Sequence, residues 1–137
     1  MARRIFLSFV QEDLDLVNLF RGQARNENSA LEFSDYSVRE PFDSSNADYI
    51  RRQIRELIRG VSVTAALLGY TTATSRWVDW EIRTSSELGK GLVGVRLHSS
   101  SRDSIPVALT AAKAEIVDWN AKAIVQAIER AAKQAGY

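Results

Sequence analysis

The sequence predicts an α/β domain with a flavodoxin-like, doubly wound sheet of five parallel strands in the order 2-1-3-4-5. Three observations carry that expectation. Short, nearly continuous apolar runs recur along the chain, as strands covered on both faces require. Stretches with apolar residues at helical spacing separate them. The two kinds of segment alternate from end to end with no internal repeat and no linker, which is the βαβ pattern of an open parallel sheet.

The first strand is read from Ile5-Phe6-Leu7-Ser8-Phe9-Val10. Glu12 and Asp13 follow, suited to the positive start of a helix carrying Leu16/Val17, Phe20 and Ala24 on one face. Leu31-Glu32-Phe33-Ser34-Asp35-Tyr36 alternates and reads as a strand nearer an edge. Residues 37–46, with Pro41, Ser44 and Ser45, form a loop long enough to suggest a function. Asn46 is placed to cap a helix with Ile50, Ile54 and Leu57/Ile58 in one stripe. Residues 61–68 read as the third strand, ended by Gly69, and a polar loop from 70 to 76 leads to a helix starting near Trp77. Residues 92–97 follow the Gly89-Lys90-Gly91 break as a fourth strand. The 99–112 region is poorly patterned and is expected to be loop or irregular helix. Residues 114–117 make a short fifth strand, and a last helix after Asn120 carries Ile124, Ala127, Ile128 and Ala131 and stops at Gly136.

The 137 residues suit a single domain, 1–137, and suffice for a core without staples. A hydrophobic fraction of 45% and a charged fraction of 26% are ordinary for a globular chain. Lys and Arg number 18 against 17 Asp and Glu, so a field that attracts nucleic acid or a membrane surface is not expected. Arg51, Arg52, Arg55 and Arg59 are the densest basic group and read as a solvated helix face. There is no cysteine and one histidine, so disulfides, thiol chemistry and Cys- or multi-His metal sites are excluded. The apolar run near the start is short for a signal peptide or a spanning helix, which points to the cytoplasm.

Ligands of such sheets bind beyond the carboxyl ends of the strands. That edge collects Ser8, Phe9 and Val10, then Asp35 and Tyr36, the 70–77 loop and His98. The first turn, Phe9-Val10-Gln11-Glu12-Asp13, has no glycine and two carboxylates, so a phosphate cradle is disfavoured there. A phosphoacceptor aspartate after the third strand is missing, Leu68-Gly69-Tyr70 standing there instead, and no G-x-S-x-G elbow exists. His98 is expected at the surface of a strand end. What remains is Trp77-Val78-Asp79-Trp80-Glu81, in which Trp77 and Glu81 share a helix face four residues apart. On spacing alone, a helix-start carboxylate and a core indole explain the pair more simply than a site does.

Two longer stretches change that balance. Arg4-Ile5-Phe6-Leu7-Ser8-Phe9 and Ser75-Arg76-Trp77-Val78-Asp79-Trp80-Glu81-Ile82, with the 61–69 and 90–95 blocks in order around them, resemble a bacterial TIR or TIR-like domain. The likeness is greatest to the TIR component of the Thoeris antiphage system and is clearest from residue 3 to about residue 98. It implies an enzyme that cleaves the nicotinamide–ribose bond of NAD, as a glycohydrolase or as a cyclase making a cyclic ADP-ribose-type signal that a downstream effector senses. By this resemblance Glu81 is the catalytic glutamate, Trp77 its partner, and Ser8 and Phe9 pocket residues of the first strand, with Asp35 a further substrate contact. NAD is then substrate, and no cofactor or metal is implied. The 37–46 loop falls where the family has its BB loop, an element of weak self-association, although Arg39-Glu40-Pro41-Phe42-Asp43 departs from the family pattern; Phe42 is expected as an exposed anchor.

The residues suit that chemistry. The nicotinamide of NAD leaves without being protonated, and a single carboxylate can stabilise an oxocarbenium-like transition state or hold the ribose hydroxyls. A rival from another class remains, a non-catalytic TIR-like interaction module assembling through the same loop. A receiver-like regulator ranks below both.

Overall fold

A computed structural model describes residues 3–36, 40–98 and 104–137. The expectations for residues 37–39 and 99–103 lie outside the described residues. Strands β1 (Arg3–Ser8), β2 (Leu31–Ser34), β3 (Val63–Leu68), β4 (Gly91–Arg96) and β5 (Glu115–Val117) form one sheet in the order β2-β1-β3-β4-β5, and each neighbouring pair is parallel. The helices are α1 (Leu14–Glu27), α2 (Ala47–Arg59), α3 (Arg76–Glu87), α4 (Val107–Ala111) and α5 (Ala121–Gln134). Single 3-10 turns, Gln11–Asp13 and Thr72–Thr74, precede α1 and α3. The expected fold and strand order are therefore those observed.

Side chains alternate across a strand, so each central strand feeds two cores. Ile5 and Leu7 of β1, with Ala65 and Leu67 of β3, face Val17, Phe20 and Ala24 of α1 and Ile124, Ala127 and Ile128 of α5. Phe6 faces the opposite way, onto Ile50, Ile54 and Ile58 of α2, while Ala66 and Leu68 meet Val78 and Ile82 of α3 and Leu109 of α4. Ser8 follows Phe6 on that second face. The serine that ends β1 is thereby aimed at α3 and away from α1.

Element ends shift where hydrogen-bonded register stops. The last partner of β1 is Ser8, paired with Ala66, so Phe9 and Val10 lie beyond the sheet as the chain turns into α1. Strand β2 stops at Ser34 opposite Phe6, which leaves Asp35 and Tyr36 past the edge. Strand β3 begins at Val63, two residues later than its apolar run, and β5 begins at Glu115. The poorly patterned region holds the short α4, whose few residues are too short a window for periodicity to reveal. Asn46 occupies the cap position of α2, but its side chain does not cap; its amide donates to Glu40 Oε1 at 3.2 Å. Ser75 and Asn120 do cap, accepting from Val78 N and Ala123 N. At the end of α5, Gly136 takes a φ of +93°, which lets the Tyr137 N–H return to the Ala132 carbonyl.

The contact of α5 with β4 is close enough to require glycine. A Cβ on Gly91 would stand 2.5 Å from the Ala131 carbonyl oxygen and 3.1 Å from Val63 Cγ2. Backbone on one side and a packed strand on the other leave no flexible atom to yield. Gly91→Ala is expected to cost roughly 1–3 kcal/mol, read as a lower midpoint in urea melts.

Candidate active site

Helix α3 shows a buried face of Val78, Glu81, Ile82 and Ser85, the spacing of an amphipathic stripe with a carboxyl group inside it. Val78 and Ile82 are fully buried and seat the helix on the sheet, each contributing roughly 1.5–3 kcal/mol. Thr64 and Ser85 hydrogen-bond each other at 2.7 Å across the same contact, and the Ser85 hydroxyl lies equally close to the Glu81 carbonyl. These short polar side chains hold α3 near the sheet, and Glu81 is carried inward with it. Its Oε1 accepts a 2.6 Å hydrogen bond from Ser8 Oγ, with both residues buried.

A carboxylate buried this deeply costs several kcal/mol unless it is paired with a charge. Glu81 meets one hydroxyl and no cation within hydrogen-bonding reach in the described contacts. Burial therefore pushes its pKa up to about 8; the Ser8 hydrogen bond opposes the shift, and the negative charge of Asp35 adds to it. At neutral pH the group is held mainly as the neutral acid. Folding takes up a proton here between about pH 4.5 and 8. The stability this confers is full below the lower value and gone above the upper one.

The cleft at this carboxyl group has a volume of about 150 Å³ and is lined by Phe9, Val10, Gln11, Tyr36, Ser75, Trp77 and Glu81. It lies beyond the carboxyl ends of β1 and β2 and at the start of α3, where such sheets bind ligands. The structure thus brings together four of the residues read from sequence, Ser8, Phe9, Trp77 and Glu81. Asp35 does not line the cleft: Arg21 of α1 holds its carboxylate at 2.7 Å, and it acts on Glu81 through charge alone. Gln11 was missed as a lining residue, since nothing in its local pattern distinguishes it from a turn residue. Tyr36 and Ser75 belonged to the expected edge without being singled out.

Trp77 proves to be both core and wall. It packs beside the Phe6, Ile50, Ile54 and Ile58 cluster while one part of the ring faces the cleft. Its Nε1–H donates to the Glu40 carbonyl at 2.9 Å, which fixes the ring. Phe42 is not an exposed anchor. It is half-buried with its ring edge-on to Trp77 at 4.8 Å, and the guanidinium groups of Arg51 and Arg76 lie over it at 4.5 and 4.7 Å. Nor is the arginine row of α2 simply solvated: Arg51 also lies over Trp77, and Arg55 lies over Trp80, while Arg52 and Arg59 are exposed. For Arg51 the cause is Phe42 of the 40–46 segment, and for Arg55 it is the packing of α2 against α3.

His98, expected at the surface, is half-buried and stacks on Tyr70 at 4.0 Å. The two acidic residues of the first turn tie it to the loop after β3. Glu12 accepts from the Thr71 hydroxyl, and the Asp13 carboxylate sits where a Cβ on Gly69 would be.

Comparison with known proteins bears on this geometry. Residues 6–102 match the family described as the Thoeris protein ThsB, TIR-like domain. The chain belongs to the ThsB TIR-like family. A ThsB relative from Bacillus cereus, strain MSX-D12, named "Putative cyclic ADP-D-ribose synthase ThsB1", is 32% identical over 103 residues, 72% of this chain. That match covers 54% of the relative, so this chain spans about half of it. Two solved structures share the fold of this ThsB-like domain. The CMP N-glycosidase BcmB of Clostridium botulinum superposes with a TM-score of 0.57 at 13% identity, over 93% of this chain and 99% of that one. A 3-dehydroquinate dehydratase-like protein from Bifidobacterium longum gives 0.53 at 14% identity, over all of both chains. Among the described residues no helix is long and apolar enough to cross a membrane.

The buried acid makes a thermodynamic expectation. Glu81→Gln keeps the shape and removes the ionisation, so its stability should be nearly flat where that of the wild type falls. The variant is expected to be the more stable protein at pH 9, by roughly 1–3 kcal/mol, with the difference fading toward pH 5. Thermal melts at both pH values check this, and an equal difference at the two would contradict the assignment.

Proposed function

We propose that this domain cleaves the bond between nicotinamide and ribose in NAD and closes the ADP-ribose into a cyclic signal, as part of a Thoeris-type antiphage response. The observation that carries the reading is Glu81, a lone carboxyl group buried behind Ser8 at the floor of a small cleft with an aromatic wall. The name of the B. cereus relative supports it.

The cleft is smaller than the 300–1,000 Å³ typical of ligand pockets. It suits one flat ring with part of a sugar, and the Trp77 and Phe9 rings offer surfaces to that ring. In NAD the pyridinium is cationic. Its arrival next to Glu81 favours the carboxylate, so binding is accompanied by release of the proton that burial had retained. The C1′–N bond then breaks with its electron pair going to the ring nitrogen, and neutral nicotinamide leaves. Glu81 stabilises the positive charge that develops on the ribose in a site with little water. Attack at C1′ by a nucleophile of the ADP-ribose gives the cyclic product, and attack by water gives the hydrolytic one; in either case the attacking group loses one proton, which Glu81 can accept and pass to solvent. Cytoplasmic NAD would be the source. An effector that senses the product, and weak self-association that covers the outer part of the dinucleotide through the 40–46 segment, complete the proposal.

Nicotinamide release from NAD by concentrated protein tests this reading. Glu81→Gln is expected to lower turnover by about 10²–10³-fold while its circular dichroism matches the wild type; equal turnover would refute the role. The pH profile supplies a second check. With the carboxylate as the active form, kcat/KM should climb with pH to a midpoint near 8. Ser8→Ala removes the hydrogen bond that favours the charged form, so the midpoint is expected to move higher, and a downward move would contradict the mechanism.

A further inference from the structure

The rim of the cleft is electrically lopsided. On the side of α1, Glu12 and Asp13 follow the lining residue Gln11 in the chain, their carboxylates turned to Thr71 and Gly69, and Asp35 engages Arg21. On the side of α2 and α3 the guanidinium groups of Arg76 and Arg51 lie over Phe42, whose ring packs on the lining residue Trp77, and each is paired with an exposed carboxylate, Asp43 and Asp48. A dinucleotide with one ring in a cleft of about 150 Å³ must lay its remaining length, including two phosphates, across one of these rims. Charge decides which. The α1 side carries more carboxylates than cations, whereas the other side offers arginines whose carboxylate partners are exposed enough to be exchanged for phosphate.

Of the two arginines on that rim, Arg51 is committed. Its Nη1 donates to the Phe42 carbonyl, its Nη2 pairs with Asp48, and its side chain is only 26% exposed. Arg76 is different. Its side chain is 62% exposed, and it opens α3, the end of a helix where the dipole disfavours a cation. Phe42 supports its guanidinium from below, and this fixes a side chain that would otherwise sample many rotamers. Its Nη1 contacts Asp43 Oδ2 at 2.7 Å, with Asp43 74% exposed. An ion pair this open contributes little to stability. A pre-set guanidinium holding one loosely attached carboxylate is arranged to exchange it for a better oxyanion, and a phosphate offers a matching set of oxygens.

We propose that Arg76 binds the diphosphate of the substrate and that Asp43 occupies its guanidinium as an intramolecular stand-in until substrate displaces it. The assignment rests on the NAD reading for the identity of the substrate, while the phosphate contact itself follows from the rim. Arg76 thereby selects dinucleotides over nucleosides, and Asp43 sets the threshold concentration for binding.

The test uses wild type, Arg76→Gln, Asp43→Asn and a control neutralisation, Glu56→Gln, on the exposed face of α2. KM is measured for NAD and for nicotinamide riboside, which lacks phosphates, and the dissociation constant of inorganic pyrophosphate is measured by calorimetry. Arg76→Gln is expected to raise KM for NAD and the pyrophosphate constant about tenfold, the loss of one charge-assisted contact. Asp43→Asn is expected to lower both about threefold, because the competitor released is a weak surface partner. Arg76→Gln should raise KM for NAD several-fold more than KM for the riboside, so that any loosening of Phe42 is separated from the phosphate contact, and Glu56→Gln should match wild type throughout, which excludes an effect of net charge. A structural latch would predict the opposite for Asp43→Asn, a lower melting temperature with no gain in affinity. NAD cleavage with one KM in wild type, Arg76→Gln and Asp43→Asn would overturn the proposal and leave the NAD reading intact. Pyrophosphate constants in the expected order, with no nicotinamide released from NAD by wild type, would refute the NAD reading and uphold Arg76 as the phosphate site.

Discussion

Ser8 and Glu81 are joined by a 2.6 Å hydrogen bond across the contact of β1 with α3, and much of the surrounding structure sets its terms. Reaching it requires β1 to sit inside the sheet, so that its last residue points into protein. It requires α3 to lie close, which the Thr64–Ser85 hydrogen bond and the buried Val78 and Ile82 arrange. A hydroxyl is a modest partner for a carboxyl group in such a place. A guanidinium there would have fixed the carboxylate permanently charged and far below the pH of a cell. With only a hydroxyl, the group stays close to its ionisation point and responds to the charge of whatever enters.

The walls of the cleft are held from several directions. Trp77 is anchored by the Glu40 carbonyl and by Phe42, and Phe42 is held between two guanidinium groups. The first turn is tied to the loop after β3 through Glu12 with Thr71 and through the Asp13 carboxylate against Gly69. A side chain at position 69 would displace the Asp13 carboxylate from its place against the loop. Rigid walls fit the proposed presentation of a ring and a sugar to one carboxyl group, since misplacement of about 1 Å costs heavily in rate. The 40–46 segment that backs Trp77 rests on surface ion pairs and ring contacts, while α3 rests on the core. Any adjustment to a larger ligand therefore falls on the 40–46 side.

Charge is distributed over the two faces of the sheet with the same consequence. The turn into α1 carries acids, while α3 opens on Arg76, whose carboxylate partner Asp43 is exposed, so the surroundings of the cleft differ in charge although the chain as a whole is nearly neutral. Net charge excludes a strong general attraction to polyanions. It says nothing about a local gradient across a few ångströms, and the rim provides one.

The sequence by itself determined the elements whose cause is local. Continuous apolar runs become central strands because both faces are covered, and residues such as Ile50, Ile54 and Ile58 become a helix stripe because 3.6 residues make a turn. Alternation of these elements is enough to imply the parallel sheet and its order. Glu81 with Trp77 was legible too, through the two stretches that resemble a TIR domain and the family match that followed. Tertiary structure alone decided the rest. Ser8 meets Glu81 across 73 positions of sequence, and the neutral state of the acid depends on burial that no spacing encodes. Asp35 could be placed at the end of its strand, but not on Arg21; Phe42 could be seen as an aromatic in a loop, but not as a ring held between Arg51 and Arg76. Periodicity reports which face of an element is buried. It is silent on which polar atoms meet when faces close, because those meetings are set by packing distances between segments far apart in the chain.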